Sequence, residues 1–364
     1  MNVPIRELQV SAYQVPTESL ESDGTLVWNS TTLVLVEAHA GGKIGLGYTY
    51  AAPAAGRLIR DLLAESVLRI DAMAVPAAWL AMNRAVRNLG RQGLSAGAIA
   101  AVDVALWDLK ARLLDLPLVA LLGPVRESIP VYGSGGFTSY SIEELQSQFH
   151  AWVESGITQV KMKVGSNPNA DIDRVCAARE SIGTKTKLFV DANGAYTRKQ
   201  ALAKAEAFAD FDVCWFEEPV SSDDLEGLRL MRDRAPAAMD IAAGEYGYDL
   251  FYFRRMLDAG AVDVLQADAT RCAGITGFLA VGALCQSTPI LLSAHTAPSL
   301  HAHPCCALGP ACHVEYFFDH ARIERMFFDG ALVPDGGVLF PDRSRPGMGI
   351  EFKRSDAEPY AISL

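Results

Sequence analysis

Residues 159–194 read QVKMKVGSNPNADIDRVCAARESIGTKTKLFVDANG. A short apolar run (QVKMKV) gives way to a polar turn, then to DIDRVCAARESIG with apolar residues at helical spacing, then to a second apolar run (KLFV). Periodicity that switches from two to 3.6 and back predicts strand, helix, strand, the unit of a parallel sheet. The same unit recurs on both sides. Upstream, IPVYGSG precedes SIEELQSQFHAWVESG. Downstream, RKQALAKAEAFAD, VCWFEEP with DLEGLRLMRDRAP, DIAAGEY with YDLFYFRRMLDAG, VDVLQADA with ITGFLAVGALCQS, PILLSAHT with a helix near 298–308, and finally HVEYF continue the order. Eight strands with seven intervening helices predict an α/β protein built on a (β/α)7β barrel of about 200 residues.

The remainder of the 364-residue chain flanks that barrel. Residues 5–13 and 31–38 read as an antiparallel pair, joined by a long exposed loop over TESLESDGTLVWNS. From about 55 to 122 the pattern is helical. The expected organisation is an α+β capping domain over 1–125, the barrel over 126–322, and a Gly- and Pro-rich segment over 323–364 that returns to the cap.

Half of the residues are hydrophobic and the formal charge is −11, so the chain is an ordinary globular protein with no clustered cations to neutralise nucleic-acid phosphates. The apolar stretch from Ala96 to Leu122 is broken by Asp103, Asp108, Lys110, Arg112 and Asp115, which argues against a membrane span. Seven cysteines in mostly apolar contexts read as reduced residues of a cytoplasmic protein, and the N-terminus lacks the pattern of a signal peptide.

Active sites of such barrels form at the carboxyl ends of the strands. Reading the last polar residues in order gives Lys161 and Lys163, Asp191, Glu217, Glu245, Asp268, His295 and Glu315. Successive separations from Lys163 onward are 28, 26, 28, 23, 27 and 20 residues, each about one βα unit. Asp191, Glu217 and Glu245 are therefore carboxylates on consecutive strands. Three convergent acids call for a hard divalent cation, and oxygen-only ligands suit Mg²⁺, with Mn²⁺ as a substitute.

Lys161 and Lys163 are two apart on one strand, so both project into the same mouth. Each ammonium lowers the other's pKa, which makes one of them a candidate neutral base. One βα unit beyond Asp268 lies His295, and a carboxylate beside an imidazole fixes its tautomer and raises its basicity. A cation flanked by two bases suits removal of a proton α to a carboxylate.

These features together resemble the mandelate racemase subgroup of the enolase superfamily over nearly the full length: KMK at 161–163, VDANG at 190–194, EEP at 217–219, GE at 244–245, Asp268 with the following CAGITG, His295 and Glu315, and DVALWDLKARLLDLPLVALLG in the first domain. The resemblance implies a modified TIM barrel under a capping domain that supplies specificity through loops near 17–30 and 46–56. It implies Mg²⁺ on Asp191, Glu217 and Glu245. Lys163 is then the base on one face, with Lys161 tuning it and touching the substrate carboxylate, and His295 with Asp268 acts on the other face. Glu315 is expected to hydrogen-bond the enolate oxygen, while Asn193, Tyr48 and Tyr50 are candidates for substrate contact. The polar, acidic loop ESLESDG, where an aliphatic one would be expected for mandelate, speaks against mandelate as the substrate. The leading expectation is a hydro-lyase that dehydrates an aldonate or aldarate to a 2-keto-3-deoxy acid. Racemisation or epimerisation of a 2-hydroxy acid, and cycloisomerisation of a sugar-acid lactone or anhydro sugar acid, use the same enolate. The expected partner is a small-molecule carboxylate, and the resemblance implies an even-numbered homo-oligomer.

Overall fold

A computed structural model describes residues 2–364. Eight parallel strands form the barrel: β4 (Ile129–Gly135), β5 (Gln159–Lys163), β6 (Lys187–Asp191), β7 (Val213–Glu217), β8 (Asp240–Ala243), β9 (Val264–Ala267), β10 (Leu291–Ala294) and β11 (Ala311–Phe317). Closure is made by β11 on β4, with Val314 opposite Val131 and Phe317 opposite Ser134. Seven helices connect them, from Ile142–Glu154 to Pro298–Ala307, in the predicted order. Their starts follow local capping chemistry: Ser141 and Thr197 each form a capping box with the residue three positions on, and Asp224 and Asp249 cap through their carboxylates.

The cap contains a sheet of β1 (Glu7–Ser22), β2 (Val27–Ala40) and β3 (Lys43–Tyr50), packed against the helix Leu94–Leu113. Here the expected long loop is corrected. The stretch TESLESDGTLVWNS is mostly strand: β1 and β2 run on past a register shift between Pro16 and Glu21 and turn only over residues 23–26. Its polar composition suggested a loop, yet strands whose polar faces meet a cavity carry such composition equally well. At the turn, Asp23 Oδ1 accepts the backbone N–H groups of Thr25 at 2.6 Å and Leu26 at 2.7 Å. Gly24 is pressed onto the barrel, where a Cβ would lie 2.2 Å from the Ala192 carbonyl oxygen. The hairpin tip therefore stands directly on the loop that follows β6.

The tail serves both parts. Ile362 pairs with Ala12 of β1, whereas Leu339 pairs with Ile129 at the start of β4. Cap and barrel are also joined through buried groups. Asp103 of the long cap helix accepts the Thr276 N–H at 2.9 Å and its hydroxyl at 2.6 Å. Tyr48 Oη donates to Glu324 Oε1 at 2.6 Å, and Glu324 Oε2 accepts the Ser299 N–H at 3.0 Å. All seven cysteines are free thiols. Among the described residues, no helix is long and apolar enough to cross a membrane.

Candidate active site

The strand register brings the charged residues together. Lys163 lies opposite Asp191, and Asp191 opposite Glu217, so the ends of β5, β6 and β7 present three functional groups side by side. Glu245 follows β8 through Gly244, whose φ of +137° and 2.1 Å approach of a would-be Cβ to the Gln266 carbonyl leave room only for glycine. Asp268 and His295 each lie one residue beyond their strands, and Glu315 lies within β11.

Asp191, Glu217 and Glu245 are buried and each offers one oxygen within 4.8 Å of the others. Burial, and after it the neighbouring Asp191, pushes the Glu217 carboxyl up to about 8 despite the nearby lysines. Such crowding fits a divalent cation: an all-carboxylate donor set in a dry mouth could hold Mg²⁺ without a nitrogen or sulfur ligand.

On one flank, Lys161 Nζ is 2.7 Å from both carboxylate oxygens of Glu217 and 2.9 Å from Glu315, and Lys163 Nζ is 2.5 Å from Asp191. The expected lowering of the lysine pKa is corrected. Burial does favour the neutral amine of Lys163 and Lys161 adds to that, but Asp191, Glu245 and Glu217 together outweigh them and raise it. Lys161 is raised as well, with burial overcome by Glu217 and Glu315. Mutual repulsion of the two ammonium groups is real, and it is the weaker effect when each has its own carboxylate.

On the other flank, His295 Nδ1 is 2.8 Å from Asp268 Oδ2, while Nε2 is 3.1 Å from Glu245. Burial opposes protonation, but Glu245, Glu315 and the Asp268 hydrogen bond prevail and push the imidazole up to about 9. Asp268 is lowered: burial works against this, and the hydrogen bond and charge of His295 overcome it. The loop carrying Asp268 is fixed from behind by His301, whose Nε2 accepts the Ala269 N–H at 2.8 Å. Glu315 is pushed down to about 2, its burial outweighed by Lys161 and His295, and it accepts the Thr296 N–H at 3.2 Å. In that ionised state it is an acceptor, so donating to an enolate oxygen would first require a proton on it.

Lys163, Asn193, Glu245 and His295 open onto one cavity of about 390 Å³, a size suited to a small ligand. The cap roofs it with residues from both expected stretches, including Trp28 and Ser30 from one and Tyr50 and Ala51 from the other. Asn193 presents a buried Oδ1 without a partner. Tyr50 lines the cavity, but Tyr48 does not: its ring is fully buried beside Phe328 and its hydroxyl is held by Glu324. The expectation of substrate contact by Tyr48 is therefore corrected, because residue 50 ends the strand at the cavity whereas residue 48 sinks into the junction between cap and barrel.

Among the lining residues that the sequence reading did not single out, Arg271 and His320 carry the most chemistry. Arg271 lies 3.4 Å from Glu245 Oε1 and over the ring of Tyr246, and it follows Asp268 by three residues, a spacing that signals a shared loop. His320 stacks on Tyr50 with ring centroids 3.5 Å apart and planes inclined by 12°. It lies past β11, where the strand-end rule does not reach.

Comparison with known proteins accords with this geometry. The enolase C-terminal domain-like family matches residues 144–357, and the mandelate racemase / muconate lactonizing enzyme N-terminal domain matches residues 20–123. The chain belongs to the mandelate racemase / muconate lactonizing enzyme group of the enolase superfamily. A mandelate racemase/muconate lactonizing enzyme-like protein from Rubrobacter xylanophilus is 55% identical, with a TM-score of 0.97 over 99% of this chain and 100% of that one. The 3,6-anhydro-alpha-L-galactonate cycloisomerase of Streptomyces coelicolor is 32% identical over 96% of this chain and 98% of its own length. L-talarate/galactarate dehydratase of Salmonella typhimurium is 32% identical over 84% of this chain and 76% of its own. An L-talarate/galactarate dehydratase mutant, liganded with Mg and L-glucarate, has a TM-score of 0.92 at 26% identity, covering 100% of this chain and 93% of that one. The protein is thus an enolase-superfamily enzyme with the buried acidic triad typical of that superfamily's Mg²⁺ site.

Proposed function

We propose that the protein dehydrates an acid sugar, an aldonate or aldarate, to the 2-keto-3-deoxy acid. The observation that carries this reading is the placement of Lys163 and the His295–Asp268 pair on either side of the acidic triad, with Lys163, Glu245 and His295 lining one polar cavity. Asp191, Glu217 and Glu245 would hold Mg²⁺, which would supply positive charge beside the substrate carboxylate and offset the carboxylate charge that keeps Lys163 protonated.

Lys163, as the neutral amine, accepts the C2 proton. Lys161 remains an ammonium buried between Glu217 and Glu315, behind the cavity lining, and holds those two carboxylates in place. His295, protonated at neutral pH by its surrounding acids, gives the Nε2 proton to the C3 hydroxyl as the C3–O bond breaks and water leaves. The enol then takes a proton at C3 and becomes the ketone. Asp268 keeps Nδ1 protonated throughout, so the reacting nitrogen is Nε2.

Proton NMR in D₂O tests this, with the Mg²⁺-loaded enzyme and a panel of aldonates and aldarates. Loss of the C2 signal with growth of a 2-keto-3-deoxy pattern is the expected result, and C2 exchange with an intact skeleton would assign an epimerase instead. Cycloisomerisation of an anhydro sugar acid is a second reading, favoured by the full-length similarity to the Streptomyces coelicolor enzyme. Conversion of 3,6-anhydro-galactonate without turnover of any open-chain acid would establish it.

A further inference from the structure

We propose that the cavity is built for a sugar acid with a single carboxylate and an uncharged far end, and that His320 reads a hydroxyl there. This rests on the function proposed above and narrows its substrate class to aldonates.

The first argument is the distribution of charge. Lys163 and Arg271 are the lysine and arginine of the lining, and both belong to the barrel. Each already faces acids: Lys163 meets Asp191, and Arg271 meets Glu245 at 3.4 Å and Asp268 at 3.7 Å. The roof contributes hydroxyls and rings, from Trp28, Ser30, Thr31, Thr32 and Tyr50, together with the carboxylate of Asp23. A second carboxylate reaching the roof would lose water, gain no cation and confront Asp23. A polyol end meets groups that can donate and accept.

The second argument is His320 itself. It is 8% exposed, it lines the cavity, and its Nδ1 is buried without a hydrogen-bond partner. The ring cannot turn freely to find one, because Tyr50 stacks on its face and Phe317 meets it edge-on at 5.0 Å. Tyr50 Oη also donates to the His320 carbonyl at 3.4 Å, which ties the Tyr50 ring to the His320 backbone. Burial holds the imidazole neutral, pulling it down to about 3. A neutral imidazole has one donor and one acceptor nitrogen, which matches a hydroxyl and gives an anion no charge to pair with. Sites that hydrogen-bond a substrate hydroxyl reject analogues lacking it far more strongly than apolar pockets reject a missing methylene.

Calorimetric titration of the Mg²⁺-loaded protein with hydroxamates of aldonic acids tests the proposal. They are compared with hydroxamates of the same chains carrying a carboxylate at the far carbon. The expected result is at least ~10-fold tighter binding of the neutral-ended compounds. Equal or tighter binding of the acid-ended ones overturns the proposal, and so does binding of neither. His320→Phe keeps the stack on Tyr50 and removes the ring nitrogens. It should weaken the aldonohydroxamates about tenfold while leaving lactohydroxamate, which has no distal hydroxyls, unchanged. His320→Gln should recover part of that loss. Equal weakening of both ligands by His320→Phe overturns the assignment of His320. Because these readouts are binding constants, selective binding without any C2 exchange in D₂O would refute the proposed reaction and leave this inference standing.

Discussion

The floor and the roof of the cavity are made of different material. On the floor every charge sits against another: lysines on carboxylates, and histidine between Asp268 and Glu245. The roof is a strand hairpin and a strand end whose contribution is hydroxyls and aromatic rings, with Asp23 tied up in its own turn. Electrostatics of the floor set protonation states and suit bond breaking, whereas the geometry of the roof suits telling one polyol from another. A change in the floor should therefore appear in kcat, and a change in the roof in KM and substrate preference.

The largest effect is expected from Glu217→Gln. Removing one of three carboxylates should lower Mg²⁺ affinity in calorimetry and cut activity by ~10³-fold or more. Retained metal affinity would break the assignment of the triad. Next, Lys163→Ala and His295→Asn should each lower kcat by ~10²- to 10⁴-fold with little change in KM. A change confined to KM would erase the distinction between floor and roof.

In the roof, Tyr50→Leu removes the ring that fixes His320 and should lower kcat/KM about tenfold, mainly through KM. Steady-state kinetics on the best substrate of the panel decide this. The effect furthest from catalysis, one on stability alone, concerns the junction that holds roof to floor. Burial raises the Glu324 carboxyl from 4.5 to about 7, although hydrogen bonds from Ser299 and Tyr48 oppose the rise. The folded state thus binds a proton that the unfolded chain has released. This contribution to stability is complete below about pH 4.5 and is lost as pH climbs towards 7, on the order of 3 kcal/mol. Glu324→Gln should flatten that fall, and thermal melts from pH 4.5 to 8 should show wild type and variant converging or crossing. Parallel curves would show that Glu324 titrates normally.

The floor was legible in the sequence because its groups lie at or near the carboxyl ends of strands, and the strands recur at one βα unit. Asp191, Glu217 and Glu245 could be found by counting, and the fold followed from the same rhythm. The roof obeys no such spacing. Whether Tyr48 or Tyr50 reaches the cavity depends on where β3 ends over the barrel, which is a tertiary fact. The hairpin over residues 17–30 hid its strands behind polar residues that the cavity demands. His320 escaped notice because its role comes from Tyr50, 270 residues away. Protonation states were the least legible of all. The pair of lysines suggested a depressed pKa, and only the distances to Asp191 and Glu217 show that attraction wins.

The most direct test of the two-flank site is C2 deuterium exchange by His295→Asn, followed by NMR in D₂O with Mg²⁺ and a true substrate. If Lys163 takes the C2 proton and His295 serves the C3 hydroxyl, the variant should still exchange C2 while forming no 2-keto-3-deoxy product. Loss of exchange together with product, while Lys163→Ala still exchanges, would put proton abstraction on His295 and contradict the assignment of the flanks.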